Sequence, residues 1–167
     1  LMLSDLYKRG IQKHSDINKD IELANAWQCG FTTHLNLLVQ TQVGYKNLFK
    51  IVSDTLTDHF FEGPRLLKSV LKQHREGILV GSGCSHGEVF ETALNRSDED
   101  LRNVISFYDY IEVQPPVSYR HLKEDLGADA DFIIESIIKK IIRITKELNK
   151  LIIATGDVHY LNETDAI

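Results

Sequence analysis

Four short apolar runs, set between stretches of helical periodicity, limit what this chain can fold into. They are the segment from His34 to Val39 with Leu35, Leu37, Leu38 and Val39, then Ile78-Leu79-Val80, Tyr110 to Val113, and Leu151-Ile152-Ile153-Ala154. Runs this short, bounded by glycine, threonine or proline, read as buried strands. Pro115-Pro116 closes the third, because proline cannot continue a central ladder. Strands alternating with helices predict an α/β chain whose sheet is largely parallel.

The helical stretches carry their own signals. Tyr45, Leu48, Phe49 and Val52 fall at i, i+3, i+4 and i+7 and predict one amphipathic face. Thr57 to Gly63 reads as a loop. Pro64 suits a first helical position, with Leu67, Val70 and Leu71 as the face of a short helix ending near Gly77. Another short helix is expected from Glu88 to Leu94, with Glu88 and Glu91 as helix-start carboxylates. Ser97 followed by Asp100 resembles a capping box with Asp in the Glu position; the helix it opens carries Leu101, Val104, Ile105 and Tyr108. The clearest helix has Ile134, Ile137, Ile138, Ile141, Ile142 and Leu148 as its stripe. Lys139, Lys140, Arg143 and Lys146 lie outside, and Asp129 and Asp131 at the start, where the helix dipole favours anions.

Before Thr32 the pattern is weaker. Leu3 to Arg9 reads as a helix end closed by Gly10, His14 to Asp20 as a polar connection, and Trp27 and Phe31 as apolar anchors around Cys29. At the other end Asn162-Glu163-Thr164-Asp165 reads as a helix start. A chain that stops at Ile167, just past such a start, is expected to be part of something longer.

Charge and cysteine usage narrow the class. The 167 residues carry 19 Lys+Arg against 24 Asp+Glu, a formal net charge of -5, so no chain-wide basic field advertises nucleic acid. The basic residues sit mainly on one helix face, and weak DNA binding is the expectation for the chain alone. No apolar run reaches the roughly 18 residues of a membrane span, and the start has no signal-peptide pattern. Two cysteines, Cys29 and Cys84, are too few for a disulfide framework, and a reducing cytoplasm is the simplest setting.

Residues that carry chemistry collect at the strand ends. Asp157 and His159 follow the fourth strand two residues apart. In extended chain that spacing points both side chains one way, at the end of a strand where α/β folds build their sites. Asp-x-His is also a metal-ligand pair, or else a turn aspartate beside a surface histidine. Cys84 lies just past the second strand, either as a small buried hydrophobe or as a metal thiolate. Its loop, Gly81 to Gly87, lacks the Lys and glycine spacing of a phosphate loop or dinucleotide fingerprint. A cysteine phosphatase would want arginine where Phe90 stands. His34 opens the first strand, as a hydrogen-bonded end residue or a functional one. Glu112 sits inside the third strand, where a carboxylate must face a barrel interior or pair with a base; it is a candidate lining residue. His14, His59, His74, His86 and His121 read as solvated.

Several blocks in order resemble a known family. Thr33-His34-Leu35-Asn36-Leu37-Leu38-Val39-Gln40 with Gly44 to Ser53, Glu76 to Cys84 with Gly87 to Glu91, Phe107 to Pro116, and Ala154-Thr155-Gly156-Asp157-Val158-His159-Tyr160-Leu161 are similar to the PHP (polymerase and histidinol phosphatase) domain of bacterial replicative polymerases. The likeness is specifically to the PolC-type DNA polymerase III alpha subunits.

That resemblance implies a distorted seven-stranded (β/α) barrel holding up to three divalent metals, Zn, Mn or Fe, at the carboxyl ends of its strands. Such sites hydrolyse phosphoesters, and some look like proofreading 3′–5′ exonucleases. The metal positions carried over are His34, Cys84, Asp157 and His159; no catalytic residue is assigned. The family's opening His-x-His motif is not in this sequence. The chain therefore looks like the carboxyl-terminal part of a split PHP domain, 31–167, with about four of the barrel's strands, and 1–30 as the junction after an inserted exonuclease domain. The implied parent is a DNA-directed DNA polymerase with magnesium at its polymerase site. Its partners would be DNA, other replisome subunits and the amino-terminal half of the PHP barrel. An open parallel edge also invites self-association; no membrane is involved. The rival expectation is a non-catalytic platform bracing the polymerase and exonuclease modules. A free-standing metallohydrolase is disfavoured, because four ligands would need further donors.

Overall fold

The computed structural model describes residues 32–60, 64–156, 158 and 160–165. The expectations for Leu3 to Arg9, His14 to Asp20, Trp27, Cys29 and Phe31 lie outside the described residues. Four strands form one sheet among those described: β1 (Asn36–Val39), β2 (Ile78–Gly81), β3 (Tyr110–Val113) and β4 (Leu151–Ala154), in that order across the sheet. β2 and β3 run parallel, with Gly81 beside Tyr110. β3 and β4 are also parallel, in register from Tyr110 with Leu151 to Val113 with Ala154. The alternating α/β reading of the sequence therefore holds.

The chain divides into two units, one of residues 1–32 and 38–79 and one of 33–37 and 80–167. In the first, α1 (Gln42–Leu56) is capped by Thr41, whose Oγ1 accepts from the Gly44 N–H at 3.1 Å. The buried side of α1 is not the one expected from its apolar spacing. Gly44 and Ile51 are buried, while Tyr45, Phe49 and Val52 are 53%, 57% and 44% exposed. The cause is a backbone contact: a Cβ on Gly44 would lie 1.9 Å from the Gly77 carbonyl oxygen. Asn47, on that same side, donates to the Glu76 carbonyl at 3.0 Å. The helix is turned so that its glycine meets the chain, and the aromatic stripe faces outward.

α2 (Lys68–Gln73) starts four residues later than Pro64 suggested. Pro64 instead forms an antiparallel bridge with Phe60, and Leu67 is extended at the N-cap. Leaving the segment extended lets Leu66 and Leu67 pack with Val70. His59, expected to be solvated, is only 2% exposed, with Nδ1 3.2 Å from the Asp54 carbonyl oxygen.

The second unit holds the larger core. α3 (Glu88–Asn95), α4 (Asp98–Phe107) and α6 (Ala130–Glu147) contribute Val89, Phe90, Leu101, Ile105, Ile134, Ile141 and Ile144, all buried. Between β3 and α6, a 3-10 helix (Pro116–Leu122) leads into the short α5 (Lys123–Leu126). The capping box at Ser97 is present in both directions, with Asp100 in the role of the usual Glu. Outside the core, Arg143 bonds Asp98 at 2.6 Å and Glu147 at 2.8 Å, and Arg102 bonds Glu147 at 2.7 Å. These links tie α4 to α6 along an exposed seam. At the far end of α6, Lys150 donates to the Ser106 and Tyr108 carbonyls, a cation at the close of α4. After β4, Glu163–Asp165 forms a single 3-10 turn where the sequence read a helix start.

Candidate metal centre

The rim of the second unit is assembled by backbone bonds before any side chain is considered. The His34 N–H donates to the His86 carbonyl at 2.9 Å, and His34 bridges Gly87 in parallel fashion. The Gly87 N–H in turn donates to the Cys84 carbonyl at 2.8 Å, closing a four-residue turn over Cys84-Ser85-His86-Gly87. Gly83, just before the turn, has φ +72°, a conformation that favours glycine. A Cβ there would also stand 3.0 Å from the His34 carbonyl oxygen. The glycines of this loop thus serve its path past His34, and no phosphate cradle is needed to account for them.

That path brings three donor groups together. His34 Nδ1 is 3.5 Å from Cys84 Sγ, and His86 Nδ1 is 3.9 Å from the same sulfur. One ligand atom from each of His34, Cys84 and His86 lies within 4.8 Å of the others. Cys84 is half-buried and both histidines are exposed. The set fits a borderline divalent metal, since thiolate and imidazole are its preferred donors. Zn–S and Zn–N bonds at a tetrahedral ion imply a ligand–ligand edge of roughly 3.5 Å, the spacing that His34 and Cys84 already have.

Glu112 supports the rim from β3. Its Oε1 accepts from the Asn36 amide at 2.7 Å and from the Gly83 N–H at 3.3 Å, while its own N–H donates to Ser82 Oγ at 2.8 Å. Of the two expectations for this carboxylate, a barrel interior or a base, the base is replaced by an amide and a backbone N–H. Burial raises the Tyr110 phenol above its ordinary range, with the charges of Glu112 and Asp109 adding to the effect.

Of the residues singled out in the sequence, His34, Cys84 and Glu112 share this rim. Asp157 and His159 lie outside the described residues. His86 and His121, read as solvated, are the ones sequence reasoning missed. The His86 ring stacks on His34 at 5.3 Å and on His121 at 5.3 Å, the latter nearly parallel at 9°. A Cys-x-His pair between two glycines was the available signal.

Comparison with known proteins gives the family. The PHP domain family matches residues 6–114. The chain belongs to the PHP domain family. This PHP chain is 43% identical over 166 residues to DNA polymerase III PolC-type of Bacillus subtilis, covering 99% of the chain and 12% of that protein. It is 44% identical over 165 residues to the PolC-type enzyme of Oceanobacillus iheyensis, covering 98% of the chain and 12% of the relative. The Staphylococcus saprophyticus PolC-type enzyme is 42% identical over 167 residues, with 99% and 12% covered. The resemblance read from the sequence blocks is borne out, and this PHP chain spans about an eighth of the curated relatives that it matches. No helix among the described residues is long and apolar enough to cross a membrane.

Proposed function

We propose that this chain is part of the PHP region of a PolC-type replicative DNA polymerase, and that its rim contributes ligands to a divalent metal site for phosphoester hydrolysis. The observation that carries this reading is the 3.5 Å approach of His34 Nδ1 to Cys84 Sγ at the strand ends of a PHP-family chain. His34 and Cys84 would hold the metal from one side, with Asp157 and His159 completing that side. Glu112 keeps the rim in place and is not itself a ligand in this reading. When bound, the metal would supply Lewis-acid chemistry at a phosphoester; the residues of this chain orient it. The remaining barrel strands, the 1–30 junction with an inserted exonuclease domain, DNA and the replisome subunits belong to the same proposal, as does a cytoplasmic setting. Exposed Leu38 in β1 and Leu151 in β4, at 51% and 63%, support pairing of the outer strands with another part of the barrel or a second copy.

The test is metal content and phosphodiester hydrolysis in the parent polymerase, with and without Asp157→Ala and His159→Ala. Loss of metal and of hydrolysis together supports a catalytic site. Loss of metal with a fall in thermal stability, in a parent that shows no hydrolysis to begin with, supports the platform role. Unchanged metal content in the double variant defeats the ligand assignment.

A further inference from the structure

The family likeness carries metal roles onto His34, Cys84, Asp157 and His159, and His86 is not among them. We propose that His86 joins His34 and Cys84 as a ligand of a thiophilic divalent cation of the zinc or cobalt type. This rests on reading the rim as a metal site, and it adds a ligand that the likeness does not supply.

Three features favour it. The turn over Cys84 to Gly87 and the His34–His86 backbone bond fix both histidines beside the thiol by main-chain geometry. The His86 ring stacks on two others, His34 and the nearly parallel His121. Its Nδ1 is 3.2 Å from the buried Ser85 Oγ, which also lies 3.2 Å from His121 Nε2. Ser85 and His121 are positioning residues here: they set the ring before metal arrives, and the Ser85 contact gives way when the single Nδ1 lone pair, 3.9 Å from sulfur, turns to the cation. Two imidazoles and one thiolate leave a fourth tetrahedral position open. The thiolate selects zinc or cobalt over magnesium or calcium. Binding takes the proton from the Cys84 thiol and releases it to solvent.

The probe is Co²⁺, titrated into the reduced 167-residue chain and followed by its sulfur-to-cobalt charge-transfer band and ligand-field absorption. Zn²⁺ competition and calorimetry in buffers of different ionisation enthalpy accompany it. We expect tetrahedral Co²⁺ absorption, proton release on binding, and loss of the charge-transfer band in Cys84→Ser. His86→Gln should weaken Co²⁺ at least about 100-fold, beyond what loss of a supporting partner costs. His86→Cys should restore tight binding, with circular dichroism unchanged in both. Asp157→Ala with His159→Ala, which removes two ligands of the proposed site, should weaken Co²⁺ while leaving His86 in place. Wild-type affinity in His86→Gln overturns the assignment. If that variant binds normally while the Asp157/His159 double variant does not, His86 falls and the family-like ligand reading stands. An unmodified chain that binds no Co²⁺ overturns the assignment as well.

Discussion

The Asn36 amide donates to Glu112 Oε1 at 2.7 Å across 76 residues of sequence. The same oxygen accepts the Gly83 N–H, so one carboxylate joins β1, the loop carrying Cys84, and β3. Glu112→Ala should therefore destabilise the chain by about 1 kcal/mol, the usual net value of a lost hydrogen bond, seen as a lower urea midpoint. Glu112→Gln, which keeps one acceptor, should cost less. If Ala and Gln behave alike and both match the parent, Glu112 does not organise the rim.

The capping box gives a second expectation. Ser97→Ala removes the acceptor for the Asp100 N–H and should cost about 1 kcal/mol, measurable in equilibrium denaturation. Ser97 also holds the Asp100 carboxyl below its ordinary range, through its hydroxyl first and its N–H second. A depressed folded value means the contribution is present above the unfolded pKa and is lost as pH falls through the folded one. The Ser97→Ala deficit should then shrink at acid pH.

Arg143 should control the acid limb of the stability profile. Its hydrogen bond is the largest influence holding the Asp98 carboxyl low, and it reinforces Arg102 in lowering Glu147. The unfolded chain therefore binds more protons than the folded one as pH drops below about 5, and stability declines with it. In Arg143→Met both carboxyls return toward ordinary values, so the slope of stability against pH over that window should flatten. High salt should mask much of the difference, because these groups are exposed. An unchanged slope at low salt would remove the pair from the account of acid unfolding.

Gly81 should not tolerate a methyl group. A Cβ there would sit 2.3 Å from the Tyr110 ring, beside which Gly81 pairs in the sheet. Gly81→Ala is expected to cost about 1–3 kcal/mol through overpacking, read as a drop in melting temperature. A variant as stable as the parent would mean that the Tyr110 ring moves aside without penalty.

What the sequence made legible was local. β3 was readable at Tyr110–Val113 because proline marks its end, and the Ser97–Asp100 box because both its bonds span three residues. The rotation of α1 was not, since apolar spacing cannot see that Gly44 lies against Gly77. His34 and Cys84 were found as strand-end residues. Their neighbour His86 was passed over because a backbone bond to His34 and two ring stacks put it there, and none of these has a periodic signature.

The interrupted course of the second unit, residues 33–37 and then 80–167, has a consequence for synthesis. During translation the His34 imidazole emerges 50 residues before the Cys84 thiol that it faces, and Asn36 waits longer still for Glu112. Neither contact can form from local sequence, so each depends on closing a long loop, whose entropic cost grows only slowly with length but must be met before the contact gives anything back. A ribosome-bound chain arrested before Glu112 would hold thiol and imidazoles by their backbone bonds alone, without the carboxylate that ties β1 and the Cys84 loop to β3.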